Sequence, residues 1–248
     1  MDAHIMHHVQ NSFEWVIPFA GPMALPQFLS LHALMLILST FFLILLTCVI
    51  GQSRGRVPHR AANLLEVFVI FIRDSISKEC LGHEDGIKMT PFFCTMFFFI
   101  LTMNLLGLIP LFSSASANIN VTGALAFSIL LLMVIGGIRK NGVKSFFTSF
   151  VPSGVPMLIM PLIVPLEIIM FFMKVIVLAM RLFLNMLAGH LIILSMLGVI
   201  VVLGLKASPI FLLVVMMYAL EIFVAFLQAY VFTFLSAVFI GQMYHPQH

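Results

Sequence analysis

Charge is the scarcest commodity in this sequence. Only 8% of its 248 residues are Asp, Glu, Lys or Arg, whereas 62% are hydrophobic and the mean hydropathy is +1.19. Soluble domains carry about 25% charged residues. So little charge cannot clothe a surface in water, and the chain is read as an integral membrane protein whose core forms in lipid. No basic patch for nucleic acid is present. The formal net charge of +3 carries little weight, because placement outweighs the sum in a membrane protein.

Cysteine is nearly as sparse. Cys48, Cys80 and Cys94 are scattered, odd in number and without CxxC spacing. That excludes a disulfide framework and a thiolate metal site. The start, "MDAHIMHHVQNSFEW", lacks the basic n-region and apolar core of a signal peptide, so insertion is expected to use the first hydrophobic span. His4, His7 and His8 read either as metal ligands or as a solvated polar tail, and the tail is the plainer reading. "GIRKNGV" approaches a Walker A loop but lacks Gly-Lys-Ser/Thr. No cofactor and no metal site is expected.

Long apolar runs are what the chain has in abundance. After a tail over 1–30, a first span is predicted at 31–50, long enough for about 30 Å of hydrocarbon. "GQSRGRVPHR" closes it. Over 60–80, Leu64, Leu65, Phe68, Phe71 and Ile72 recur at helical spacing among Glu66, Arg73 and Asp74, the pattern of an amphipathic surface helix. Further spans are predicted at 90–112, 121–138, 157–205 and 208–241. The expected architecture is an all-α integral membrane protein with five membrane helices and one amphipathic surface helix, in a single membrane domain over 31–248. Arg54, Arg56, Arg60, Arg73, Lys78, Lys88, Arg139, Lys140 and Lys144 fall on one side, nine of twelve basic residues. The positive-inside rule then places the N-terminus outside and "HPQH" inside.

The tract over 157–205 is too long for an upright span. As one helix it measures about 72 Å, so it either folds into two spans or lies about 50–65° from the bilayer normal. Around Arg181 there is no turn chemistry, and Gly189 alone is a weak breaker, so one tilted helix is preferred. With 208–241 it would form a long, strongly tilted antiparallel hairpin.

The polar residues within that hairpin carry the functional signal. Glu167, Lys174 and Arg181 are seven apart, which returns them to within about 20° of one direction, and Asn185 lies about 40° away. His190 points to the opposite side. Counting from a turn near Lys206 puts Arg181 level with Gln228 and His190 level with Glu221. Singly, Asn104, Asn185 and Gln228 are equally well read as interhelical glue, Lys174 as a snorkelling lysine, and Glu167 as a carboxylate favoured by its helix N-terminus. Arg181 is different, because arginine keeps its proton and needs a carboxylate or a wet cavity. A His–Glu station suits proton handling, since histidine titrates near neutrality and burial moves carboxylates toward the same range.

"MRLFLNMLAGHLI" followed by "YALEIFVAFLQAYVF" resembles the two signature segments of subunit a of F-type ATP synthases. "TMNLLGLIP" and "ANLLEVFVIFIRDSI" are similar to that family's second span and surface helix, in the same order. The resemblance implies a hairpin wrapped against a rotating ring of c subunits, with aqueous half-channels opening to opposite sides. It gives Arg181 the role of the arginine facing the ring carboxylate, with Gln228 and Asn185 beside it and His190 with Glu221 in the outer half-channel. In many bacterial members the acid and the histidine occupy these two positions in the opposite order. Glu167 is implied toward the inner half-channel, with Lys174 and Asn104 as further candidates there. Peripheral-stalk b-type subunits and the other ATP synthase subunits are the implied partners, and a bacterial inner membrane or, alternatively, a mitochondrial one is the implied location. The subunit itself makes no ATP. Rival readings are a free-standing secondary transporter binding an anion at Arg181 and a structural subunit of a respiratory complex. Half-to-half repeats and glycine-rich broken helices, expected of such transporters, are not apparent.

Overall fold

A computed structural model of the chain describes residues 14–17, 21–24, 31–51, 60–109, 114–151, 159–203 and 208–244. Within the tail, β1 (Glu14–Ile17) pairs antiparallel with β2 (Gly21–Ala24), Glu14 opposite Ala24 and Ile17 opposite Gly21. Trp15, Val16 and Ile17 are strand formers, and this pairing was not anticipated from the sequence. His4, His7 and His8 lie outside the described residues.

The other described elements are helices. The first helix, α1 (Leu31–Gly51), has 21 residues, about 30 Å. Next come α2 (Arg60–Phe71), a π-helical stretch (Ile72–Ser77) and α3 (Lys78–Leu81), a continuous run matching the predicted surface helix. On it Asp74 accepts from Arg73 Nε at 2.9 Å and from Lys78 Nζ at 2.7 Å. The Arg73 guanidinium, and then the Lys78 ammonium, hold the Asp74 carboxyl well below the usual carboxylate range. The run ends at Gly82, where φ is 82°.

The following helix, α4 (His83–Gly107), begins seven residues earlier than the predicted 90–112 and ends five earlier. Glu84 and Asp85 occupy its first turn, where the helix dipole favours carboxylates, so residues read as too charged to span form its entry. Pro110 in the sequence disfavours helix at the residue before it and sets the end. After a 3₁₀ turn (Ala115–Ala117) comes α5 (Ile119–Thr148), which outruns the predicted 121–138 and breaks only at Gly142, with φ 81° and ψ 161°. That conformation is open to glycine, while Arg139 and Lys140 are favourably placed near the helix end before it.

The long tract is one helix, α6 (Met160–Leu203), 44 residues without a break at Arg181. Its partner, α7 (Ser208–Tyr244), has 37 residues. At about 66 Å and 55 Å, neither stands upright in about 30 Å of hydrocarbon. The turn expected at Lys206 lies outside the described residues. Among these, α4, α5, α6 and α7 are long and apolar enough to cross a membrane, with α1 a shorter apolar helix. The chain is a multi-pass helical membrane protein.

Contacts divide it into two compact units. The first comprises Met1–Pro58, Phe97–Val121 and Leu182–Tyr230, the second His59–Met96, Thr122–Arg181 and Val231–His248. In the first, Phe97 meets Phe226 edge to face at 5.7 Å, and fully buried Ala225 and Ala229 let backbones approach closely. In the second, Phe146, Phe150 and Phe171 pack edge to face at 5.5–6.5 Å. Asn141 Nδ2 donates to the Met243 carbonyl at 2.8 Å, and Lys140 pairs with Asp85 while lying 5.1 Å over the Tyr244 ring. These contacts tie the end of α7 to the α5 break and the start of α4.

One tight backbone approach in the second unit is at Gly86. A Cβ there would come 2.7 Å from the Ser77 carbonyl oxygen and 2.8 Å from Lys78 Cα, neither able to swing aside. Gly86→Ala is therefore expected to cost about 1–3 kcal/mol by overpacking. Thermal unfolding in detergent micelles should show a lower midpoint, and a midpoint equal to the parent's would refute the close approach.

Candidate functional site

Three of the four polar hairpin residues in the first unit are buried by the antiparallel packing of α6 on α7. Asn185 Nδ2 donates to Gln228 Oε1 at 2.8 Å. One α6 turn farther, the Glu221 carboxyl lies against the backbone of Gly189, where an added Cβ would collide with Oε1. Residue numbers rise on one helix as they fall on the other, so the predicted antiparallel arrangement is present. His190 is 8% exposed, Glu221 4% and Gln228 3%, although all three stand on helices whose other faces are lined with exposed Leu, Ile, Val and Phe.

The electrostatics of this group are unusual for an apolar environment. Neither carboxyl oxygen of Glu221 has a hydrogen-bond partner among the described residues. His190 and Glu221 are therefore buried neighbours along the hairpin that are not hydrogen-bonded to each other. Unpartnered buried polar atoms are costly, and those that persist in native proteins call for a chemical explanation. Gln228 Nε2 is likewise buried without a hydrogen-bond partner among the described residues.

The residue count put Gln228 level with Arg181, but its side-chain partner is Asn185, one turn farther along α6. Helical side chains lean toward their own N-terminus. On an antiparallel partner that lean carries the long Gln228 side chain forward along α6. Asn104 joins the same unit: it is fully buried, with Nδ2 3.5 Å from the Ala225 carbonyl, one turn beyond Glu221 on α7. Its Oδ1 is buried and unpartnered.

The second unit holds Glu167, Lys174 and Arg181. Lys174 Nζ donates to Gln242 Oε1 at 2.9 Å and lies 5.8 Å from the Phe239 ring centroid. Glu167 is half-buried and Arg181 is exposed, and neither makes an ion pair among the described residues. The described residues contain no cluster of three His, Cys, Asp or Glu able to hold a metal.

Two residues of these groups escaped the sequence reading. Gln242 stands fourteen residues past Gln228, continuing the spacing of seven that singled out Glu221 and Gln228. Gly189 read only as a weak breaker. An isolated glycine inside an unbroken helix usually has a packing reason, and here the reason is the Glu221 carboxyl.

With this geometry in place, comparison with known proteins is informative. The ATP synthase A chain family matches residues 32–241. The chain belongs to the ATP synthase A chain family. Relatives of the chain bear the name ATP synthase subunit a. The one from Nitrobacter hamburgensis is 39% identical over 83% of this chain and 85% of its own length. That from Myxococcus xanthus is 40% identical over 85% and 71%, and that from Chloroherpeton thalassium 38% over 98% and 77%.

The Asn185–Gln228 bond is a direct polar link between the paired helices in the first unit. A double-mutant cycle with Asn185→Ala and Gln228→Ala is expected to give a coupling of about 0.6–1.7 kcal/mol in denaturation from detergent micelles. Strictly additive effects would show that the pair is not formed.

Proposed function

We propose that this member of the ATP synthase A chain family is the proton-translocating stator subunit of a rotary ATP synthase in a bacterial inner membrane. It forms two half-channels that load and unload carboxylates on a ring of c subunits, and it is held by b-type subunits of a peripheral stalk. It takes no catalytic part in making ATP. The observation that carries this reading is Arg181, an exposed arginine on an apolar membrane helix with no ion pair among the described residues. A guanidinium cannot discard its charge, so it needs water or a counter-charge from outside the described residues. A carboxylate arriving on a moving neighbour meets that need repeatedly.

The mechanism follows from the chemistry of the groups. With the N-terminus outside, a proton enters from the outer face and reaches the station of His190 and Glu221. Glu221 takes it as a carboxylic acid and passes it to a ring carboxylate, becoming a carboxylate again. The neutral ring carboxyl then moves into lipid at low electrostatic cost. On its return it releases the proton toward the inner side near Glu167 and meets Arg181 as an anion. The fixed positive charge of Arg181 repels a free proton and so opposes leakage between the half-channels. Gly189 lets the Glu221 carboxyl lie tight against α6 and thereby orients it. Asn185 and Gln228 hold the two helices in register, and Lys174 with Gln242 does so in the second unit.

The transporter alternative loses ground because α6 runs unbroken through Arg181, whereas anion sites in such transporters are built on interrupted helices.

In vesicles carrying the whole ATP synthase, Arg181→Ala is expected to reduce ATP-driven proton pumping by about 100-fold while the complex still assembles. Coupled pumping retained at the parental rate would sink the mechanism. Glu221→Gln keeps the size of the side chain but removes its proton exchange, and is expected to slow passive proton flow from the outer side by about 10–100-fold. Unaltered flow would take Glu221 out of the path.

A further inference from the structure

The station at Glu221 lies inside the first unit, so protons need a way in from the outer surface. We infer that His32, with Ser116, Ser114 and Asn104, forms the entry to that station and that His32 is its proton-capturing relay. The inference rests on the proton-channel reading above.

A line of buried polar groups runs through this unit. Asn104 of α4 reaches the Ala225 carbonyl, one turn from Glu221. Three residues past Asn104, Gly107 offers no side chain, and Ser114 Oγ lies so close that a Cβ there would meet it at 2.7 Å. Ser114 and Ser116 share a hydrogen bond of 3.1 Å, and both are at most 1% exposed. They flank the 3₁₀ turn at Ala115–Ala117, which packs against α1. The face that α1 buries is His32, Met35 and Ser39, at 1%, 2% and 1% exposed, and no described side chain of α1 beyond Ser39 is buried. His32 therefore stands in the first turn of α1, on the face that this helix buries, and the turn carrying Ser116 packs against the same helix.

An apolar membrane helix has little reason to bury an imidazole in its opening turn unless the imidazole is used. By the charge pattern, the start of α1 and the α4–α5 connection share the outer side. The relay is balanced without a further reactant: one ring nitrogen takes a proton from outer water and the other releases one inward, returning the neutral ring. Serine hydroxyls and the Asn104 amide, bridged by water, carry it on. The 3₁₀ turn and residues 97–109 of α4 contribute no titratable side chain against His32. The other titratable side chains described in this unit are Cys48, His190, Tyr218, Glu221 and Tyr230.

A relay and a packing residue differ in their pH dependence. Vesicles carrying the whole ATP synthase would be driven to make ATP across a range of outer pH, with His32→Gln compared against the parent at equal amounts of assembled complex. Where outer protons are scarce, capture limits the rate, so the alkaline limb should move to lower pH by about one unit, roughly a tenfold loss at fixed alkaline pH. At acidic outer pH the rate should remain near the parent's. A superimposable profile overturns the inference, and so does a uniform loss at every pH, which marks a structural role. If His32→Gln does not assemble, Ser116→Ala removes a hydroxyl from the same line and is read the same way. Glu221→Gln in parallel separates the two levels of the account. If it leaves flux unchanged, the channel reading fails, and if it slows flux while the His32 profile is unmoved, only this inference fails.

Discussion

An arginine in hydrocarbon must have a counter-charge or water, because it cannot become neutral. Arg181 is exposed on α6 and makes no ion pair among the described residues. The rest of the proposed mechanism depends on that constraint. A rigid, unbroken helix presents the charge, and a second long helix packs against its length. The carboxylate that completes it is assigned to a neighbour. Were the charge satisfied within the chain, the repeated capture and release of a partner carboxylate would have no driving interaction.

Glu221 is the converse case. It is a group that could be neutral or charged, buried where neither of its oxygens is hydrogen-bonded among the described residues. Arg181 cannot change its charge and is placed at the surface, whereas Glu221 can and is placed inside. The proposed mechanism thus separates a fixed electrostatic barrier from an exchanging proton carrier. The orientation of the carrier comes from the absence of a side chain at Gly189. Separately, the Arg73–Asp74–Lys78 ion pairs add a small, exposed contribution to the stability of their own helical run, lost as pH falls through the depressed pKa of the carboxyl.

Much of this was legible before any coordinates. The continuity of α6 followed from a run of helix formers without turn chemistry around Arg181, and the polar stripe from residues seven apart. Other features depend on relations that a linear pattern does not encode. Helix ends were displaced where a dipole accepts charge: Glu84 and Asp85 look like reasons to end a membrane helix, but they begin α4. The side-chain partner of Gln228 was not given by residue counting, which compares Cα levels while long side chains lean along the helix. Gly189 was unremarkable until a carboxyl from the opposing helix was found against it. Its role belongs to the pair, and only packing depth reveals it. The β1–β2 pairing was likewise hidden in a tail too short and mixed to show alternation.

The central claim is that the counter-charge of Arg181 lies on another subunit. Its most direct test is a structure of the assembled ATP synthase in membrane lipid, resolved at several rotary positions. The account predicts a carboxylate of a ring subunit within about 4 Å of the Arg181 guanidinium, replaced by the next copy as the ring turns. An Arg181 paired in every position with a carboxylate of its own chain or with a lipid phosphate would contradict it.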